Sequence, residues 1–322
     1  MKSRSLLVVV PQTIPFVIQE HVMDAFTRQD SCGCWRRWSY ERKIGTSLGD
    51  TVRPLVLFAL SCLLVSTASA QVPSGSPSTM ATTAQASDAQ AVLIATQSQS
   101  ALAGTTVISD LALSAQGSWS AGSTRASGTA ALKVKGGSES RFDITAGTLS
   151  RSEIRNDSGG PGGQWIDGNG IRHAAATHNC WTPAGWFAPH AVVQGMLDTN
   201  TVLRYVGREM RGGINVDHVQ LHRTNSEKNQ TISQALEKLS SADVFFDAST
   251  HLPQAVIYNT HPDNDYGRDI PVEIKFSDYR SVNGVMVPYR IQRLLQGVLN
   301  LDLTVSTAAV NSGLTDGEFA LQ

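Results

Sequence analysis

Residues 270–305 read IPVEIKFSDYRSVNGVMVPYRIQRLLQGVLNLDLTV, and this stretch decides the fold. Apolar and polar residues alternate in two runs of it, the apolar members being Val272, Ile274 and Phe276 in the first and Leu299, Leu301, Leu303 and Val305 in the second. A period of two places the apolar side chains on one face of a strand and the polar ones on the other. One buried and one wet face are typical of antiparallel sheets. The sequence therefore predicts that the interior of such a sheet is lined by Val272, Ile274, Phe276, Leu301 and Leu303.

The same alternation extends towards the N-terminus. Residues 201–207 and 214–221 show it, with a slip at Asp217 and His218 that predicts a β-bulge. SGGPGG at 158–163 is predicted to be a surface loop. Further strands are predicted at 107–118, 124–134, 140–145 and 149–156. Because strands and helices do not alternate, we expect a mainly β (α+β) fold of about ten antiparallel strands with a few helices.

Two amphipathic helices accompany the predicted strands. One begins after Asp88, which is placed to act as its N-cap, and the other spans 231–240 with a capping box at Thr231. A strongly twisted open sheet rarely exceeds about ten strands. We therefore expect the sheet to curl and to enclose a space unless something fills it.

Residues 184–197 form a third, strongly apolar segment that includes Trp186 and Phe187. It carries too many apolar groups for a surface loop, while Pro189 and Gly195 weaken it as a continuous helix. The sequence predicts a short, movable element that covers or plugs the curled sheet, with Trp186 and Phe187 facing the interior.

Patterns that would indicate a metal or catalytic site are incomplete. His218 and His222 would lie about 13 Å apart on an extended strand, at roughly 3.3 Å per residue. Two other groups lack ligands or the required spacing: His178 with Cys180, and Asp263, Asp265 and Asp269. GSWSAG at 117–122 misses the nucleophile-elbow spacing by one residue. The sequence thus predicts no metal, no other cofactor and no enzymatic activity.

The charge balance excludes one large class of partner. The chain carries 26 Lys and Arg against 27 Asp and Glu, a net charge of −1. Nucleic-acid binding proteins rely on a surplus of basic groups. We therefore expect no nucleic-acid partner, and the hydrophobic content of 41% is sufficient for one core.

The N-terminal region differs in character from the rest of the chain. After Arg53 comes an apolar run of 12 residues, followed by a small-residue pattern that ends at Ala70. This arrangement is typical of a secretory signal, with cleavage after Ala70, and it is shorter than the roughly 18 residues that a membrane span needs. The mature protein would be periplasmic or secreted; the alternative is an inner-membrane anchor through residues 54–70.

Four parts of the chain are distinguished on this basis. Residues 1–52 are interpreted as a non-native or disordered extension, with a genuine cytoplasmic extension as the alternative. The divisions are 1–52, the signal peptide 53–70, a flexible linker 71–88 that is rich in Ser, Thr, Pro and Ala, and a folded domain 89–322.

Three hairpin motifs resemble a known family. They are RYVGRE at 204–209 with VQL at 219–221, FDASTHLPQAV at 246–256, and FSDYRSVNGVMVPYRI at 276–291. This succession resembles the outer-membrane lipoprotein carrier and sorting-protein superfamily (LolA-like), over about residues 105–320. The resemblance implies a half-open antiparallel β-barrel with helices over its mouth. Its motifs are mainly turn chemistry, so they specify fold better than function.

The resemblance also implies site residues. Carriers of this family use an apolar barrel interior for acyl chains and a strand arginine that latches the lid. Arg141 is the nearest match to that arginine, although its surroundings lack the family's proline and tryptophan.

Two functions from different classes remain open. One is an exported binding protein for lipid or lipoprotein acyl chains, driven by burial of about 0.8 kcal/mol per CH₂. The other is a structural or regulatory domain whose barrel is packed solid and whose surface or edge strand recognises an envelope protein.

Overall fold

A 13-stranded antiparallel sheet organises residues 86–225 and 229–322, the part of the chain that the computed structural model describes. The predicted extension, signal peptide and nearly all of the linker lie outside these residues. The strands are β1 (Asp110–Ala121), β2 (Thr124–Lys135), β3 (Glu139–Ala146), β4 (Leu149–Asn156), β5 (Gly163–Ile166), β6 (Arg172–Ala174), β7 (Thr201–Arg211), β8 (Ile214–Arg223), β9 (Ala242–Asp247), β10 (Pro253–Thr260), β11 (Ile270–Val282), β12 (Val285–Leu295) and β13 (Val298–Val310).

Two meanders build the sheet. β1 to β6 run outward to one edge, and β7 to β13 start at the opposite edge and return until β13 pairs with β1. The chain must therefore cross from one edge to the other between β6 and β7. We call this crossover, residues 175–200, the strap.

Helices are few in the described residues. They are α1 (Ala89–Ala103), α2 (Pro189–Met196) and α3 (Gln230–Ser240), with short 3₁₀ helices at Thr177–Trp181 and Asp316–Phe319. α1 and α2 pack on the sheet face that carries the apolar core. The predicted fold class, a mainly β open barrel with helices over its interior, is confirmed.

The hairpins follow the turn chemistry of the sequence. Asn283 and Gly284 join β11 to β12 with φ values of 50° and 83°. Positive φ at both central residues is the requirement of the tight hairpin turn that Asn-Gly favours. The hairpin of β7 and β8 does contain a bulge, but its extra residue is Val206 on β7, opposite the predicted slip at Asp217 and His218 on β8.

A pair of glycines lets the sheet bend sharply. Gly117 on β1 and Gly128 on β2 are cross-strand partners. A Cβ at Gly117 would overlap the backbone carbonyl of Asp302 on β13, and a Cβ at Gly128 would overlap that of Thr145 on β3. Glycine is the residue that tolerates such close backbone approach. The two positions form a gap without side chains between β1 and β2, within the first meander, which we call the crease.

The curl brings distant strands together. Arg293 on β12 lies 3.6 Å from Glu153 on β4, measured from Nη1 to Oε2, although four strands separate β4 from β12 in the sheet. In a flat sheet five strand spacings would place them about 24 Å apart. The apolar face is thus concave, and charged groups of its two arms meet across it.

The structure also differs from several sequence expectations. The sheet has three strands more than about ten, partly because the short β5 and β6 follow the loop at 158–163. Only Pro189–Met196 of the apolar segment 184–197 is α-helical, because Pro189 occupies the first helical turn, where its missing N–H has no consequence. Asn229, not Thr231, caps α3 through its side chain.

Candidate functional site

The predicted interior residues lie together on the concave face. All seven belong to one apolar cluster and none is more than 7% exposed: Trp186, Phe187, Val272, Ile274, Phe276, Leu301 and Leu303. On β11 and β13 the residues that alternate with the five strand members of this set point to the other face, as the period of two requires. The concave face therefore offers one continuous apolar surface.

The strap covers this surface. The ring of Trp186 meets Phe142 of β3 edge-on at 5.6 Å between centroids, and it meets Phe187 at 5.3 Å. Val192, Val193 and Met196 of α2 are buried in the same cluster. The segment that the sequence identified as a plug or lid thus lies between the sheet and solvent, with its apolar side chains turned inward.

Polar tethers hold the N-terminal half of the strap. Arg155 on β4 donates from Nη1 to the carbonyl of Asn179 (3.2 Å) and from Nη2 to the carbonyls of Cys180 and Thr182. The Asn179 side chain donates to the carbonyl of His261 (2.8 Å) and accepts from its N–H (2.8 Å). Ser140 donates to the carbonyl of Ala184 (2.6 Å). Beyond residue 184 the contacts with the sheet are mainly apolar.

α1 completes the cover on the side of β7. Ile94 and Leu102 enter the core cluster. Asp88 does not cap the helix with its side chain. Its Oδ2 instead accepts a hydrogen bond from the N–H of Tyr205 (3.0 Å), and its backbone N–H donates to the carbonyl of Leu203 (2.9 Å). The chain before α1 is therefore attached to the outer edge of β7.

A pocket of about 330 Å³ opens between the C-terminal end of α1 and α2. Its lining includes two core residues, Leu102 and Val193, together with Val107, Ile108 and His190. Burial lowers the pKa of His190 to about 4, so the ring is neutral at pH 7. Among the described residues that line the pocket there is no carboxylate.

Arg141, the arginine expected to latch the lid, points to the opposite face. It alternates with the buried Phe142, and its Nε donates to Asp143 Oδ2 at 2.7 Å. Its Nη1 donates to the carbonyl of Glu318 in the C-terminal 3₁₀ helix (3.4 Å). The structure therefore does not place Arg141 at the strap, because the period of two on β3 turns it away from the concave face.

The arginines near the strap were missed by sequence reasoning. Arg293 lies over the ring of Trp186 at 5.1 Å, and Arg155 holds the strap carbonyls. A signal for Arg155 is visible in the sequence: Arg151, Glu153 and Arg155 recur at a period of two, so one face of β4 is charged. The pairing of β4 with β3 puts that face on the side of Phe142 and Ser140.

Charge surrounds Glu153 on the concave face. Burial acts to raise the pKa of this carboxyl, but Arg151 and Arg293 outweigh it and hold the pKa below its ordinary value. Nearby, burial raises the pKa of Tyr258 to about 12, so its hydroxyl stays neutral. Glu153 is accordingly an anion shared by two arginines.

The remaining candidate groups form structural contacts. His178 contacts the carbonyl of Pro262 at 3.1 Å, and Cys180 is a buried free thiol. His218 pairs with Asp243 at 2.8 Å. Within residues 86–225 and 229–322, no three His, Cys, Asp or Glu residues are grouped to hold a metal ion. The described helices are too short or too polar to cross a bilayer.

Comparison with known proteins identifies similar folds. No protein-family model and no curated protein sequence matches the chain. Among solved structures, an outer-membrane lipoprotein-sorting protein domain from Vibrio parahaemolyticus shares 11% identity over 71% of this chain and 96% of its own, with a TM-score of 0.47. A LolA superfamily protein from Nitrosomonas europaea shares 11% identity over 72% of this chain and 97% of its own, with a TM-score of 0.46. A DUF1329 family protein from Desulfovibrio piger shares 14% identity over 72% and 96%, with a TM-score of 0.40. At these identities and TM-scores the likeness concerns the fold alone, and it does not assign the chain to a family.

Proposed function

We propose that this chain is an exported, non-catalytic binding protein whose concave face takes the apolar chain of a lipid or lipoprotein beneath the strap. The observation that carries the proposal is the composition of the core. It is shared between a curled sheet and a separate cover, and the C-terminal half of that cover is held mainly by apolar contacts. An acyl chain that replaced Trp186 or Val193 would restore the lost burial at about 0.8 kcal/mol per CH₂.

The pocket between α1 and α2 supports this reading. It reaches the core at Leu102 and Val193, and the neutral His190 adds no charge to its wall. An apolar chain entering there meets the covered face without passing a carboxylate among the described lining residues. Displacement of α2, a helix of 8 residues, would then open the interior.

A filled barrel that recognises an envelope protein is the second candidate. The observation that favours it is the packing of the interior, since Phe187, Ile274, Leu301 and Leu303 are each 0% exposed. In that case the strap is a permanent part of the core. The two candidates differ in one property, which is whether the strap must move for the protein to function.

A reversible disulfide between the strap and the sheet would distinguish the two candidate functions. A Cβ at Gly185 would lie 3.8 Å from Cβ of Val134 on β2, close to the usual disulfide separation of about 3.8 Å. We therefore design Gly185→Cys with Val134→Cys in an Ala191→Gly background, because the Ala191 methyl group would crowd the new side chain at 2.9 Å. Mass spectrometry verifies the intended bond.

The measurement is the titration of an apolar phenylnaphthylamine fluorophore. We expect saturable binding by the native chain and by the reduced variant, and loss of binding after oxidation. Trp186→Ala, used in parallel, should weaken binding while the strand signal in circular dichroism is retained; Ile232→Ala, an exposed truncation on α3, is its control. Absence of saturable binding by the folded native chain, with Trp186→Ala costing about 3–5 kcal/mol of stability, would support the filled barrel instead.

A further inference from the structure

We propose that the charged group on β4 and β12 binds the anionic headgroup, a carboxylate or a phosphate, of an amphiphile whose chain lies beneath the strap. The group consists of Arg151, Glu153 and Arg293. This inference rests on the proposed function, because it assigns a headgroup site to the same ligand. It is carried by unused hydrogen-bond donors, by the local charge balance and by the position of the group.

Arg151 and Arg293 each have N–H donors that are not used in hydrogen bonds. Arg151 donates from Nε to Glu153 Oε1 (2.8 Å), and Arg293 donates from Nε to Asn300 Oδ1 (3.1 Å). The Nη1 of Arg293 is 3.6 Å from Glu153, which is an ion pair beyond hydrogen-bond distance. A guanidinium has five N–H donors in a planar fork. The terminal NH₂ groups of both residues therefore lack a hydrogen-bond acceptor among the described residues.

Positive charge exceeds negative charge here. Arg151, Arg155 and Arg293 share two carboxylates, those of Glu153 and Asp157. The side chains of Arg151 and Arg293 are only 20% and 16% exposed, so water screens them incompletely. Neither Arg151 nor Arg293 contributes to the fully buried polar atoms without a partner in the described part of the chain, so their free donors are open to solvent and an anion could fill the forks.

Aromatic rings fix the arginines in place. The Arg151 guanidinium lies 4.3 Å over the ring of Trp165, which stacks on His173 at 3.8 Å. The Arg293 guanidinium lies 5.1 Å over Trp186 and 5.9 Å over Phe142. Stacked guanidiniums keep their forks oriented, so little conformational entropy is lost when an anion binds.

The position of the group matches an amphiphile. Trp186 and Phe142 form the contact between strap and sheet, and Arg293 touches both rings. A ligand whose headgroup bonded Arg293 would have the start of its chain at Trp186, where the apolar cluster begins. Neutral lipids would use the same interior without gaining these charge-assisted bonds.

The test compares ligands with the same chain and different heads. Dodecanoate, dodecyl phosphate and dodecanol each displace the apolar fluorophore from the full chain. We expect the native protein to bind at least one of the two anions about tenfold more tightly than the alcohol. Whichever anion is preferred identifies the headgroup as carboxylate or phosphate.

The variants are Arg293→Gln and Arg151→Gln. Each should abolish most of the preference for the anion while the affinity for dodecanol is retained. Arg290→Gln is the matched control: it lies on β12 too, removes the same charge and pairs with Asp302 on the other face, so it should leave the preference unchanged. Arg293→Lys serves if Arg293→Gln does not fold, because it keeps the charge and loses the fork.

The outcomes are distinguishable. Equal affinities for alcohol and anions in the native protein, or a preference that survives both substitutions, would overturn the headgroup site and leave the group as a bridge between the arms of the sheet. If none of the three compounds and no fluorophore binds, the proposed function itself fails.

Discussion

His190 is a single side chain of the cover that is expected to make the stability of the folded chain depend on pH. Its ring lies in the pocket between α1 and α2, and burial lowers its pKa from 6.5 to about 4. In the unfolded chain the same group has its ordinary pKa of about 6.5. Between these values the unfolded chain binds a proton that the folded chain does not, so stability increases with pH in this range.

We therefore expect the folded domain to become less stable as the pH is lowered. The free energy of unfolding should fall as the pH is lowered from about 7 to 4, and His190→Gln should reduce that dependence. Urea titrations at several pH values measure it, with Gln99→Ala as the control because it lines the same pocket and has no titratable group. A slope unchanged by His190→Gln would show that other groups cause the dependence.

At the scale of elements, the crease between β1 and β2 sets the shape of the sheet. Gly117 and Gly128 are cross-strand partners, and each lies close against the backbone of its other neighbouring strand, which is β13 for Gly117 and β3 for Gly128. Neither has a positive φ, so the reason for glycine is space and not turn geometry. The neighbouring backbones leave no room for a side chain at either position, and we expect this close packing to contribute to the curl of the sheet.

Substitution in the crease should open the sheet. We expect Gly117→Ala or Gly128→Ala to destabilise the domain by about 1–3 kcal/mol or more, because the methyl group would overlap backbone that cannot move aside. Thermal and urea unfolding measure the change. Ser127→Ala, an exposed neighbour on β2, should stay within about 0.5 kcal/mol of the native protein. An equally stable Gly128→Ala variant would contradict the role of the crease.

The strap is the second element with a distinct role. Its N-terminal half is fixed by hydrogen bonds from Arg155 and Asn179, and its C-terminal half, from Trp186 to Met196, is held mainly by apolar contacts. Apolar contacts are non-directional and exchangeable. Under the proposed function, we expect an acyl chain to displace the C-terminal half, with the tethered half as the hinge.

At the scale of the whole molecule, the domain is expected to reach its site of action by export. The apolar run after Arg53 and the small residues up to Ala70 predict cleavage after Ala70, outside the described residues. N-terminal sequencing of protein recovered from the cell envelope should begin at Gln71. Material that begins upstream of Arg53 would contradict cleavage and support an anchor through residues 54–70.

Much of the fold was predictable because local chemistry controls it. Alternation assigned Val272, Ile274, Phe276, Leu301 and Leu303 to one face, and the structure buries all of them. The Asn-Gly turn indicated a hairpin that is present, and the slip at Asp217 and His218 indicated a bulge that occurs on the opposite strand, at Val206. These features depend on neighbours within a few residues, which a sequence displays directly.

The boundaries of helices were less predictable because long-range contacts compete for the same groups. Asp88 was expected to cap α1, but its carboxylate bonds the edge of β7 at Tyr205. Pro189 was expected to interrupt a helix, and it begins one. Asp88 does lie at a helix start, but its side chain has a partner far away in the chain, whereas Pro189 fits the first helical turn because its missing N–H has no consequence there.

The contact between the charged residues of β4 and β12 could be found only from the tertiary structure. Periodicity shows that Arg151 and Glu153 share a face, and it turns Arg141 away from the interior. It contains no information that Arg293, from a strand five places further across the sheet, reaches the same carboxylate. That contact depends on the curl of the sheet, which is a property of all strands together. Sequence patterning therefore assigned the faces, whereas the three-dimensional closure of the sheet determined which residues meet across them.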